Sequence, residues 1–451
     1  MKKIIRIVVF ALLVCLLIPV TACKRDEYVV PVLPEDYEVD PSGRIKVSTY
    51  LRSGKDSEIA LDNWIKEYND KYPKVKIRKE IISWGDFPVQ VASGDIGDVY
   101  YSSDVDVYKY AIQYKAAMPL DAYVENLNID ITALYTSVYD LGCYNGLLYM
   151  VPSDISQTVY YTNTTLLEQE GLSLPPMDWT WDDLLEYCSR IRKENEDGTY
   201  SQTAIYIEGA QTCYFMPFFS GWGGKWVDSV NKKVNFVSDE KVLKGVGQIF
   251  ELIDKGYASA DNLRGEIATK YKGLQYPQNY AFYPVILWQS RVTLWNMHEE
   301  LGLKMDVSPV PKTPVLAVSG DVFGYIAYSK TKNPDAAATF SLFLLSQEGQ
   351  VAFNNRVGGG IPCTKEGIES GIWRIPYEES EFRYDAFTVY PEAFIASWAE
   401  CYVPPEIAEI INKYIATIIP EHYTNTRSYD NTLKALEQQC NETWAELYNE
   451  G

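Results

Sequence analysis

The sequence predicts an α/β protein built as two lobes around a cleft, and three observations carry that prediction. At 451 residues and 47% hydrophobic content, the chain is long enough for two separate cores. Its first hundred residues contain a βαβ pattern. Ile45 to Leu51 alternates like a strand, Leu61, Trp64, Ile65 and Tyr68 share one helical face, and Val75 to Ile82 is a second strand-like run, so a parallel sheet is expected. Further on, two strand-like runs, Leu147 to Val151 and Thr158 to Tyr161, are separated by the polar stretch Ser153-Asp154-Ile155-Ser156-Gln157. A polar crossing between two rigid pieces is where a cleft and its ligand contacts tend to lie.

The chain opens on a basic segment, Met1-Lys2-Lys3-Ile4-Ile5-Arg6, then an apolar stretch to Val20, then Thr21-Ala22-Cys23. This is the pattern of a bacterial lipoprotein signal peptide, with residues 1–22 removed and Cys23 lipidated. The apolar segment is short for a membrane span, and Lys24-Arg25-Asp26-Glu27 follow it at once. Residues 23–43, carrying Pro31, Pro34 and Pro41, are then a lipid-anchored tether. The expected location is the outer face of the bacterial cytoplasmic membrane.

Along the mature chain, Asp56 and Ser57 are placed to open the first helix and Pro73 to stop it. Residues 87–101 read as a helix, a glycine turn and a strand. Ligands of open α/β sheets bind beyond the carboxyl ends of the strands, which makes Tyr50 to Arg52 and Ser102 to Asp104 the rim of the first lobe. Asp104 is either a ligand contact or a helix N-cap. Pro152 is expected to end or edge its strand. Asp154 is either an acceptor for ligand hydroxyls or the side chain of an Asx-turn. Thr164 to Gln169 is a short helix, and Thr180 is an N-cap for a helix to Arg192, with Asp182 and Asp183 in its first turn. Thr203 to Glu208 is a strand and residues 239–255 an amphipathic helix. Gly245-Val246-Gly247 sits mid-helix without the third glycine or a preceding strand, so it is no dinucleotide fingerprint.

Gly146, Tyr149 and Pro152, then Tyr160-Tyr161-Thr162-Asn163, then Trp179-Thr180-Trp181-Asp182-Asp183-Leu184, follow one another in an order and spacing that resemble the extracellular solute-binding proteins of ABC importers, the large family that includes maltose- and oligosaccharide-binding proteins. The resemblance covers roughly residues 44 to 360 well and the C-terminal region loosely. Ala92-Ser93-Gly94-Asp95-Ile96-Gly97-Asp98-Val99 departs from the family pattern: Gly97 replaces a proline, one residue early. The resemblance implies a periplasmic-binding-protein-like fold of type II, with three interlobe crossings. One is at 153–157, a return near Tyr280 to Ser290 and a third near Ser346. Lobe 1 is then 44–155 plus 290–345, and lobe 2 is 156–289 plus 346–451. By position, the resemblance offers Asp154, Ser156 and Gln157 from the first crossing. It offers Gln211, Tyr214, Phe215 and Trp222 from the aromatic segment 211–226, and Trp288 and Gln289 from the return. It also makes Gly320 to Gly324 a turn facing the cleft, with Asp321 and Phe323 as contacts, and Gly358-Gly359-Gly360 a second turn. Arg52, Asp104 and Trp398 complete the expected ligand-binding set. For the aromatic members, core packing is the alternative.

The implied function is a substrate-binding lipoprotein that captures a sugar or oligosaccharide and delivers it to the membrane subunits of an importer, as a monomer and without a cofactor. Composition narrows the alternatives. A net charge of −20 argues against nucleic acid and against an anionic membrane as electrostatic partners. The 36 Tyr and 11 Trp supply flat amphipathic rings suited to sugar faces. Two His and widely spaced Cys, with no CxxC, argue against zinc. Cys143, Cys188, Cys213, Cys363, Cys401 and Cys440 are equally readable as disulfides or as scattered thiols. There is no nucleophile elbow and no phosphate-binding loop. Two rival functions stand beside the main one: a protein of the same fold for a cationic small molecule such as a polyamine, and a cell-surface glycoside hydrolase.

Overall fold

The structure, a computed structural model, describes residues 33–34, 36–51, 55–285, 297, 299–355, 360–374 and 382–449. Two sheets, each of six described strands, carry the architecture. In the first, Gly43–Thr49 pairs in parallel with Val75–Ile81 on one side and Val99–Ser103 on the other. The expected βαβ unit is therefore present, with the Lys55–Lys71 helix as its crossover and Leu61, Trp64 and Tyr68 fully buried on the sheet side. The sheet continues through Val318–Ala327, antiparallel to Val99–Ser103 and to Met150–Gln157, and parallel to Phe394–Ala396. The second sheet holds Val159–Asn163 between Tyr280–Val285 and Met305–Pro309, with Tyr200–Ile207 and Ala258–Ala260 beyond. The buried residues form two clusters, the first of which also takes Tyr161, Tyr283 and Val307 from the second sheet. Trp64, Tyr100, Phe340 and Trp373 belong to the first, and Trp179, Phe219, Phe250 and Ile415 to the second.

Local chemistry explains several elements. Thr180 and Asp183 form a reciprocal capping box at the head of the Trp181–Ile191 helix: Thr180 Oγ1 accepts from the Asp183 N–H at 3.2 Å, and the Thr180 N–H donates to Asp183 Oδ2 at 2.7 Å. Asn163 caps Thr164–Gln169 with its side-chain oxygen, which accepts from the Leu166 N–H at 3.1 Å. Pro152 lies on a strand whose outer side makes, among the described residues, the single bridge Ile155–Ile361, in keeping with an edge position.

The chain passes between the sheets at places that correct the expected ones. The polar stretch 153–157 belongs to the Met150–Gln157 strand, and the first passage is the one residue Thr158. Met305–Pro309 is hydrogen-bonded into the second sheet, so the return passage is 310–317, not 280–290. Phe353, Cys363 and Trp373 pack on the first core, Arg383 and Tyr390 reach across to Val307, Pro175 and Met177 of the second lobe, and the chain is back in the first sheet at Phe394–Ala396; the third passage therefore follows that strand, not Ser346.

Gly320 to Gly324 is also not a turn but the middle of the long Val318–Ala327 strand. Its glycines serve close approach. A Cβ on Gly320 would sit 2.2 Å from the Ser156 carbonyl oxygen, and one on Gly324 would sit 2.3 Å from that of Val151. The expected tether is likewise shorter than 23–43. Tyr37 and Asp40 are bound to the first lobe: the Tyr37 hydroxyl donates to Asp335 Oδ1 at 2.8 Å, and the Asp40 N–H donates to Asp335 Oδ2 at 3.0 Å.

Candidate functional site

A cleft of about 900 Å³ opens beyond the carboxyl ends of the first sheet's parallel strands, where open α/β sheets bind ligands. One wall is aromatic. Tyr50 follows the Gly43–Thr49 strand and meets Trp84 with ring centroids 5.7 Å apart; Trp84 meets Tyr101 at 6.1 Å, and Tyr101 stacks on Phe323 at 6.1 Å with planes 7° apart. Trp84 is 42% exposed, although an indole in a core is normally covered. Trp398 lines the cleft from the third passage.

Behind the rings lies an acidic floor. Asp104 follows the Val99–Ser103 strand, and Asp321 lies in the antiparallel strand beside it; both are buried and both line the cleft. Asp104 Oδ1 accepts from the Val105 N–H at 3.0 Å, and Oδ2 accepts from the Val322 N–H at 3.3 Å. Burial, followed by the like charge of Asp321, holds the Asp104 carboxyl well above the usual carboxylate range; the two N–H donors and the Cys401 thiol oppose that shift. Asp106, on the same turn, is pushed up to about 6 by burial and by Glu400, with Lys109 opposing. Glu400 lines the cleft as well.

The second lobe supplies another polar set at the end of the Tyr200–Ile207 strand. Gln211 Nε2 donates to Glu208 Oε2 at 2.5 Å, and the Tyr283 hydroxyl donates to Glu208 Oε1. The Cys213 thiol is raised by burial and then by the Asp321 and Glu208 carboxylates, which places this segment across from the acidic floor.

Of the residues expected from sequence, the structure brings Asp104, Asp321, Phe323 and Trp398 together in one cleft. It puts others elsewhere. Asp154 is 1% exposed and lies under Gly360, where a Cβ would come 2.1 Å from its Oδ2, so it is neither a cleft acceptor nor an exposed turn. Ser156 and Gln157 are buried in the same strand, and both amide atoms of Gln157 lack a partner among the described residues. Phe215 packs fully in the second core. Trp222 stacks on Phe218 and meets Trp181 edge-on, and with Tyr214 it lines a small apolar cavity of about 60 Å³ rather than the cleft. Arg52, Trp288, Gln289, Cys23, Gly358 and Gly359 lie outside the described residues.

Sequence reasoning missed Trp84, Tyr101, Lys109 and Glu400 as lining residues. A usable signal existed for Tyr101, two residues before the strand end; none existed for Glu400, which reaches the cleft only because the third passage runs there. The six cysteines from Cys143 to Cys440 are free thiols. Among the described residues no group of three or more His, Cys, Asp and Glu is arranged to hold a metal ion, and no helix is long and apolar enough to cross a membrane.

Two α/β cores joined by three chain passages, with an aromatic and acidic cleft between them, define a two-lobed binding-protein fold. The chain belongs to the family of bacterial extracellular solute-binding proteins, which matches residues 54–351, more than half of its length. Solved structures share the fold at low identity. An ABC substrate-binding protein from Listeria monocytogenes in complex with cycloalternan is 17% identical, with 90% of this chain and 99% of that chain covered and a TM-score of 0.67. The sugar-binding protein MalE from Xanthomonas citri is 16% identical, with 90% and 98% covered and a TM-score of 0.70. A cyclic alpha-maltosyl-1,6-maltose binding protein from Arthrobacter globiformis is 17% identical, with 89% and 99% covered and a TM-score of 0.69.

Proposed function

We propose that this protein captures a sugar or oligosaccharide in the interlobe cleft and delivers it, unchanged, to the membrane subunits of an ABC importer. The observation that carries the reading is the pairing of an exposed ring face, Trp84 with Tyr50 and Tyr101, with the carboxyls of Asp104 and Asp321 in one cavity. Rings pack on the C–H faces of a pyranose, and carboxylates accept from its hydroxyls with a direction that an apolar pocket cannot impose. Asp104, Asp321, Phe323 and Trp398 are the contacts we assign from the sequence-derived set, with Gln211 facing them from the second lobe. The saccharides bound by structurally similar proteins agree with this reading. Lobe closure follows from the ligand's higher affinity for the closed form. The lipobox pattern at Cys23 supports an anchor on the outer face of the membrane.

One observation favours a second ligand class. Asp104, Asp106, Asp321 and Glu400 outnumber Lys109 in the lining, which suits a cationic small molecule. A thermal-shift screen of the protein lacking residues 1–23 separates the two. A ligand at ~100 times its dissociation constant stabilises the fold by about 2.7 kcal/mol. A rise with glycans and none with polyamines supports the saccharide reading; a rise with polyamines alone refutes it. Release of chromophore from an aryl glycoside, lost on changing one cleft carboxylate, would replace transport by hydrolysis.

A further inference from the structure

We propose that Glu400 determines ligand specificity: its Oε2 accepts a hydrogen bond from a hydroxyl or amino group of the bound saccharide and turns away acidic sugars. The inference rests on the saccharide reading above.

Glu400 stands where two chambers meet. The larger is the cleft of about 900 Å³; the other, of about 500 Å³, is bounded by Tyr108 and Tyr144 from the first lobe and by Lys232 and Trp444 from the second. Asp104 and Glu400 line both. The turn Ala399–Cys401 packs on the turn Asp104–Asp106, which puts the Glu400 carboxylate at that junction.

One of its oxygens is fixed from behind. Asn412 Nδ2, on the Pro405–Tyr423 helix, donates to Glu400 Oε1 at 2.8 Å. Asn412 is held in turn by the Thr212 hydroxyl, which donates to its Oδ1. A side chain oriented in this way loses little freedom when a ligand arrives. The other oxygen, Oε2, is buried and has no hydrogen-bond partner among the described residues. A buried carboxylate oxygen without a donor is costly, and an ionised carboxylate can only accept, so the group that completes this site must be a donor.

No described residue donates to it, although Lys232 lines the smaller chamber beside it. Lys109, the cation of the lining, has its ammonium over the rings of Tyr110 and Tyr114, at 5.9 and 5.7 Å from their centroids. Asp104, Asp106 and Asp321 are the other charged neighbours in the cleft. A hydroxyl or amine fits this junction. The carboxylate of a uronic acid would meet like charge at close range in a partly desolvated space.

The test is Glu400→Gln, titrated calorimetrically with maltotetraose, cellotetraose, a glucosamine tetramer and tetragalacturonate. The glutamine oxygen still accepts from Asn412, while its NH₂ takes the place of Oε2. The wild type is expected to bind at least one of the first three and not tetragalacturonate. E400Q is expected to lose about tenfold or more in affinity for that ligand, the size of one charge-assisted bond, while its Tm stays at the wild-type value. If E400Q folds poorly, Glu400→Asp keeps the charge, withdraws the oxygen and should show the same loss. Wild-type affinity in the folded variant, or tetragalacturonate binding as tight as that of the neutral sugars, overturns the assignment alone. Silence of the wild type toward all four overturns the saccharide reading and this assignment with it.

Discussion

Asp335 pins the N-terminal strap, and replacing it tests whether that strap is part of the fold. The carboxylate gathers three donors: the Tyr37 hydroxyl at 2.8 Å, the Asp40 N–H at 3.0 Å and the Tyr123 hydroxyl at 2.9 Å. These differ in worth. Tyr37 is half-buried and Asp40 exposed, so water replaces the carboxylate there and each bond is worth about 0.5 kcal/mol. Tyr123 is only 5% exposed, and Asp335→Ala leaves its hydroxyl without an acceptor, which costs about 1–3 kcal/mol. The sum for D335A is then about 2–4 kcal/mol, most of it from one orphaned hydroxyl. Urea denaturation followed by circular dichroism reads this as a lower midpoint at unchanged slope. The sharper measurement is the double-mutant cycle with Tyr123→Phe. In the Y123F background no hydroxyl is left to orphan, so D335A should cost only about 1 kcal/mol, a coupling of roughly 1–3 kcal/mol. An equal cost of D335A in both backgrounds would refute the assignment of its effect to Tyr123, and a cost below about 0.5 kcal/mol would show that the strap contributes nothing.

Gly360→Ala drives a methyl to 2.1 Å from Asp154 Oδ2 and 2.3 Å from its Cβ and should lower stability by about 1–3 kcal/mol in thermal melts, a loss that Asp154→Ala, which keeps the Cβ, should not relieve in full. Thr180→Ala removes the acceptor for the Asp183 N–H and should cost about 1 kcal/mol by chemical denaturation. Asp106 is raised to about 6 in the folded state, so the native protein holds a proton that the unfolded chain has released. Stability should therefore fall as pH rises from about 4 to about 6, and Asp106→Asn should flatten that part of a pH series of melts. Asp104 is shifted in the same direction, so Asp104→Asn should melt higher than the wild type at neutral pH while losing ligand affinity.

Legibility in the sequence followed the range of the interactions. Local chemistry was readable: the capping box at Thr180, the Thr164–Gln169 helix and the buried face Leu61-Trp64-Tyr68 stand where pattern and propensity put them. What depends on distant partners was not. The family resemblance made Gly320 to Gly324 a turn, whereas here the two glycines let neighbouring strands approach. Asp154 was a natural cleft candidate in a polar stretch, yet it lies under Gly360, two hundred residues away in sequence. Trp222 and Phe215 sit in an aromatic run whose composition cannot separate a ligand shelf from a core. Asp104 was found because strand ends mark the mouth of an α/β sheet, and Asp321 because the family resemblance put its segment at the cleft.

The three passages bear on how the two lobes can move, because they converge on one spot. The Thr158 N–H donates to the Ser319 carbonyl at 2.8 Å, and the two hydroxyls are 2.8 Å apart, so the first passage is bonded to the end of the second. Ser397, at the start of the third, donates its N–H to the carbonyl of Gly320 at 2.9 Å. Gly320 itself pairs with Gln157 on one side and Ala396 on the other. A bundle tied at Thr158, Ser319, Gly320 and Ser397 resists shear, since sliding one strand would break bonds to two others. Rotation about the tie breaks none of them, which makes a hinge the low-cost motion. Asp321 is the next residue after that tie and Trp398 the next after Ser397, so cleft groups sit beside the axis. A ligand held there changes little in its contacts as the lobes rotate; groups far from the axis, such as Trp84 on one lobe and Gln211 on the other, change most. On the proposed assignment of contacts, the differential affinity that drives closure comes from the outer ones, while Asp321 and Trp398 contribute nearly equally to the open and closed forms.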